Sequence, residues 1–201
     1  MVILGLYLFG AGEAFLVNAG LGVSPWVVLA EGLSRRLPLS IGTATFLISC
    51  VVLLAWIPLR ERPGLGTLLN IVVIAASLQL MTIVLPHPHG VLLQLAFVLV
   101  GIAVVGLGSG LYLTCNLGPG PRDGAMTGIH QRTGWPVARV RLGIEAIVLL
   151  CGWLLGGTVG IGTVMFMLLI GPSVGYGLRF AGWLGRARSS VVEDEYPELE
   201  A

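Results

Sequence analysis

The chain has 201 residues, of which 56% are hydrophobic and 10% charged, and its formal net charge is +1. Soluble domains carry about a quarter of their residues as charges. A soluble fold has no means of hiding so much apolar surface, which leaves a membrane protein and gives no reason to expect a nucleic-acid partner. The small net charge conceals an asymmetry, because Glu193, Asp194, Glu195, Glu198 and Glu200 all lie in the last nine positions while every basic residue is Arg.

In chain order, six stretches are long and apolar enough to be read as spans: 2–20, 40–58, 65–85, 91–115, 136–155 and 161–181. Each approaches the roughly 20 apolar residues that cross a bilayer. Met1-Val2-Ile3-Leu4 has no basic residue before the first apolar run and Glu13 interrupts that run, so the first stretch reads as a retained span and not a signal peptide. Two shorter segments, 24–36 and 120–132, follow the first and fourth spans. Each opens on a Pro, tolerated in a first helical turn, and ends on Arg, which suits a helix C-terminus. They are expected to be half-length helices, with re-entrant, interfacial and crossing placements all open.

The junction from Trp56 to Thr67 sets an aromatic residue and Arg60, Glu61 and Arg62 around a Pro/Gly turn, as at a membrane interface. The run from Gly152 to Thr163 is its counterpart, with glycines where the charges were. His87 and His89, flanked by prolines, read as a solvated loop and not a metal site. Cys50, Cys115 and Cys151 are isolated in apolar surroundings and read as buried packing residues. No metal, cofactor or enzymatic chemistry is expected: HExxH is absent from the sequence and no nucleophile-base pair stands out in it.

Sliding the chain on itself by ninety-six positions aligns Gly5 with Gly101, Gly10 with Gly106, Gly12 with Gly108, Leu21-Gly22 with Leu117-Gly118, Pro25 with Pro121, Gly32 with Gly128 and Arg36 with Arg132. The same offset aligns Gly64, Gly66 and Thr67 with Gly160, Gly162 and Thr163. Shared Gly, Pro and Arg positions mark an internal duplication. The expected fold is therefore an all-α polytopic membrane domain over 1–182, with six transmembrane helices in two three-helix repeats (about 1–86 and 91–182). Each repeat has an extra half-helix, and residues 183–201 form a disordered cytoplasmic tail. Three spans per repeat would invert the second copy relative to the first.

Arg distribution favours this arrangement. With six spans, Arg60, Arg62, Arg122, Arg132, Arg139, Arg141, Arg179, Arg186 and Arg188 share one face and only Arg35 and Arg36 the other. If the half-helices also crossed, Arg60, Arg62 and Arg122 would move to the poorer face. Arg concentrates in cytoplasmic loops, so both termini are expected in the cytoplasm.

Ionisable groups at membrane depth mark functional hypotheses. Glu13 in the first span and Glu145 in the fifth are candidate coupling carboxylates, and Glu145 lies four positions after Arg141, within pairing reach. At the second break, Gly118 and Gly120 permit close backbone approach. Pro121 starts a helix whose positive end faces the break, and Arg122 and Asp123 add charge, together a candidate substrate site with anion-binding character. The bland alternative is that Arg122 and Asp123 satisfy one another. In the first repeat Trp26-Val27 stand at the equivalent positions, so binding there would be asymmetric.

Leu21 to Trp26, Trp56 to Thr67, Gly118 to Gly124 and Leu154 to Thr163 together resemble the YczE/YyaS/YitT family of bacterial integral membrane proteins, over nearly the whole chain to about Phe180. The resemblance implies a polytopic inner-membrane protein and brings no catalytic residue. The leading functional expectation is a permease for a small, anionic or other solute, with a homodimer held open because six helices enclose little volume. The alternative is an accessory or structural membrane protein that binds a protein or lipid partner.

Overall fold

The computed structural model describes the backbone of residues 1–195 and the side chains of residues 1–184. Among these the chain is helical throughout: α1 (Val2–Ala19), α2 (Pro25–Arg36), α3 (Ile41–Leu54), α4 (Trp56–Leu59), α5 (Leu65–Val84), α6 (Val91–Leu113), α7 (Pro121–Thr133), α8 (Val137–Leu154) and α9 (Ile161–Glu195). The tail expected from residue 183 lies largely outside the described side chains, and residues 196–201 lie outside the described backbone.

The helix ends follow the local sequence. α1 stops at Gly20, which turns left-handed at φ 69° and returns its N–H to Val17, a glycine cap. Pro25 and Pro121 occupy the first turns of α2 and α7. Ser40 caps α3 by accepting from the Thr43 N–H. At 12 and 13 residues, α2 and α7 are about 18–20 Å long, well short of a bilayer core.

Among the described residues, five helices are long and apolar enough to cross a membrane: α1, the continuous α3–α4 stretch Ile41–Leu59, α5, α6 and Ile161–Leu184 of α9. The remaining expected span coincides with α8, whose 18 residues carry Arg139, Arg141 and Glu145. Large apolar side chains point outward, among them Val51, Ile83, Leu92, Leu142 and Leu168, while Glu13, Ser24, Thr67, Asn70 and Thr163 are buried. Lipid as the outer solvent accounts for this inversion of the soluble pattern.

α1 and α6 form the spine and cross antiparallel. A Cβ on Gly5 would lie 2.8 Å from the Gly108 carbonyl oxygen and one on Gly12 2.7 Å from that of Gly101, so numbering rises on one helix as it falls on the other. Small residues let the backbones come this close. α5 packs on α1 and α9 on α6, while α2 lies against α8 and α3, and α7 against the same two helices.

Polar contacts identify which helix ends lie together. At one end Asn18 Nδ2 donates to the Leu85 carbonyl at 2.8 Å, joining the ends of α1 and α5. There too the Arg35 guanidinium donates to the Gly156 carbonyl and Thr158 Oγ1, and Gly162 N–H donates to the Leu21 carbonyl at 2.8 Å. At the other end Gly66 N–H donates to the Leu117 carbonyl at 2.8 Å, Thr67 Oγ1 to that of Pro119 at 2.7 Å and Trp56 Nε1 to that of Pro121 at 2.9 Å. Each irregular break is thus held by the start of a long helix ninety-six residues from the helix that holds the other.

The cysteine expectation needs correction. Cys50 and Cys115 are only half-buried and Cys151 is exposed. In a bilayer an apolar run is satisfied by lipid as readily as by protein, so hydrophobic surroundings in sequence do not imply a packed interior. His87 and His89 are both exposed between α5 and α6.

Candidate functional site

The two breaks converge on one cavity of about 200 Å³ in the centre of the bundle. Its geometry starts with α2 and α7. Neither the Ser24 nor the Gly120 N-cap closes its helix with a side-chain bond, so the first N–H groups and the positive dipole ends remain at the cavity wall. Where the two half-helices meet, the Arg122 guanidinium sits over the Trp26 ring, 4.7 Å from its centroid, a cation–π contact.

Glu13 comes from the middle of α1 and is 1% exposed. Ser24, free of capping duty, donates its hydroxyl to Glu13 Oε1 at 2.8 Å, while Oε2 has no hydrogen-bond partner. On the opposite wall Tyr112 donates its hydroxyl to Asp123 Oδ2 at 3.0 Å. α8 contributes Arg141 and Glu145, paired at 3.0 Å. Asn70, Ser49 and Ser109 add polar atoms, and Phe9, Ile74, Phe166 and Ile170 supply an apolar side.

Of the residues singled out from sequence, Glu13, Gly120, Pro121, Arg122, Asp123 and Glu145 all line this cavity. Gly118 does not: its φ of +109° and its packing against Gly64 and Thr67 make it part of the clamp that shapes the break. Arg122 and Asp123 do not pair with each other, since Asp123 takes the Tyr112 hydroxyl and Arg122 takes the Trp26 face. Arg141 and Glu145 do pair, as their spacing predicts.

Sequence reasoning missed Tyr112, Asn70 and Ser109 as wall residues, and noted Trp26 only for what it replaced. Asn70 carried a usable signal, an amide within an apolar span. Tyr112 near a span end is indistinguishable from an interfacial anchor.

A helical bundle with apolar residues outward and its ionisable groups gathered around a central cavity is an integral membrane protein of the polytopic helical class. The chain belongs to a family of unknown function, DUF6198, which it matches over residues 1–179. It is 47% identical over 174 residues to an uncharacterized protein of Haemophilus influenzae, covering 87% of this chain and 80% of the relative. It is also 31% identical over 169 residues to the uncharacterized membrane protein YczE of Bacillus subtilis (83% and 79% covered), and 26% identical over 172 residues to YyaS of the same organism (84% and 86%). The YczE/YyaS-type resemblance read from the motifs therefore holds. No solved structure matches the chain.

Proposed function

We propose that the protein is a small-solute transporter of six spans in two inverted repeats, embedded in the bacterial cytoplasmic membrane with both termini inside. The observation that carries the transport reading is the cavity itself. Two short helices begin there with uncapped N-termini, beside a buried carboxylate with one oxygen unpartnered. Discontinuous helices that meet at the bundle centre between repeats are how many secondary transporters build substrate sites.

Several contacts support the inverted repeat. Gly5 faces Gly108 and Gly12 faces Gly101, which is the reciprocal pattern of a two-fold relation between positions ninety-six apart. Gly10 packs on Ser77 and Gly106 on Ser173, again equivalent pairs. Trp26 and Arg122 are themselves equivalents, so their contact lies on the pseudo-two-fold axis. α8 completes six crossings, because its C-terminal neighbours Leu155 and Gly156 accept from Arg36 and Arg35 at the end opposite Trp56 and Pro121. The end bearing Arg60, Arg62, Arg132 and Arg139 is assigned to the cytoplasm. No covalent chemistry is assigned to the site.

The reading is tested by reconstituting the purified protein in liposomes and following uptake of labelled anions and amino acids, with Arg122→Ala and Glu145→Gln as comparisons. Uptake above protein-free vesicles that falls with Arg122→Ala is expected. Unchanged permeability across the panel, with both variants fully active in cells, would favour the accessory-protein alternative.

A further inference from the structure

Resting on the transporter reading, we infer that the solute is a small zwitterion of the α-amino acid type, its carboxylate held by Arg122 and the N-terminus of α7 and its ammonium by Glu13. The ionisable groups around the cavity differ in whether they have partners. Glu145 is satisfied by Arg141 and Asp123 accepts from Tyr112. Among the described residues, that leaves Arg122 without an ion-pair partner and Glu13 with a free oxygen. The guanidinium offers several N–H donors, and its carbon sits over the Trp26 ring. Glu13 Oε2 is an acceptor with nothing to accept.

A solute with only a carboxylate would engage the Arg122 donors and leave Glu13 Oε2 without a donor; a solute with only an ammonium would do the reverse. Both outcomes leave a hydrogen-bonding group of the cavity wall unpartnered, which is the costly situation. An occupant that carries one charge of each sign satisfies both. The apolar side, with Phe166 and Ile170 each 8% exposed, accommodates an aliphatic substituent. A volume of about 200 Å³ is below the usual range of drug-sized pockets and limits the solute to a small one.

The test is equilibrium binding to the full chain in detergent, using valine, 3-methylbutanoate (valine without its ammonium) and 2-methylpropan-1-amine (valine without its carboxylate). Valine is expected to bind at least about tenfold more tightly than either. Glu13→Gln should erase the preference over 3-methylbutanoate and Arg122→Gln the preference over the amine. Equal affinity of either singly charged compound for the unsubstituted protein would overturn the inference, and that comparison needs no variant to fold. Failure of valine, alanine and leucine all to bind would overturn it too. Uptake of 3-methylbutanoate without valine would refute the zwitterion and keep the transporter. Valine binding with no movement into vesicles would keep the site and remove the transporter.

Discussion

Replacing the contact between Trp56 and Gly124 with the contact found at the equivalent place in the other half tests the duplication directly. The Trp56 ring lies against Gly124 so closely that a Cβ there would collide with it, whereas ninety-six residues away the small residue is Gly152 and the larger one Val28. The glycine of the pair thus sits on α7 in one place and on α8 in the other, where a Cβ on Gly152 would meet the Val28 and Leu29 backbone. Trp56 is 2% exposed, and deleting such a side chain costs about 3–5 kcal/mol; its lost bond to the Pro121 carbonyl adds about 1 kcal/mol. Gly124→Val against the intact ring is overpacking, costing about 1–3 kcal/mol or more. In the Trp56→Gly background the valine meets vacated space, so the double variant should be no less stable than Trp56→Gly alone. That corresponds to a coupling of about 1–3 kcal/mol relative to additivity. Denaturant unfolding of the four proteins in one detergent measures it. If the double variant loses the full sum of the single losses, the two contacts are not equivalents and the reciprocal-packing argument fails.

Thr67 donates to Pro119 and accepts from Gly64 N–H, whereas Thr163 only accepts from Gly160 N–H. Thr67→Val should therefore cost about 1–3 kcal/mol and Thr163→Val about 1 kcal/mol in the same unfolding assay; equal losses would mean the Pro119 contact contributes nothing. Gly12→Leu should separate α1 from α6 and lower stability by about 1–3 kcal/mol, seen as earlier thermal aggregation in detergent, and a neutral result would contradict the close crossing. Single cysteines at Arg35 and Arg60 should react with an impermeant maleimide from opposite sides of the membrane in intact cells and inverted vesicles; reaction from one side only would exclude six spans. Tyr112→Phe removes one hydroxyl bond to Asp123 at a stability cost of about 1 kcal/mol and should weaken solute binding less than Arg122→Gln does; the reverse order would put Asp123 at the centre of recognition.

The helices and both breaks were legible because their signals are local. Apolar runs of span length, prolines at 25 and 121 and left-handed glycines at 22 and 118 each dictate their own backbone. The glycines of the close helix crossing were legible for a related reason: Gly5, Gly12, Gly101 and Gly108 sit where backbones touch and no side chain fits. The site was half legible. Charges at membrane depth drew attention to Glu13, Arg122 and Glu145, and the Arg141–Glu145 pair follows from its spacing, but no spacing rule links Arg122 to Trp26 or Glu13 to Ser24. α8 shows another limit, since Arg141 and Glu145 line the cavity while apolar residues such as Leu142 face outward, and composition averages the two.

The meeting of Trp26 with Arg122 has a historical consequence under the inverted-repeat reading. A residue on a two-fold axis faces its own copy, so in an assembly of two identical chains this place would hold Trp against Trp or Arg against Arg. Two guanidiniums so close in a poorly solvated interior would repel, and two indoles would bring no charge to a ligand. Only once both halves are written in one gene can the axis carry an unlike pair, one member a cation and the other the surface that steadies it. Fusion of the halves is then what permits a charged centre, and a version split into two identical half-length chains would be confined to an uncharged one.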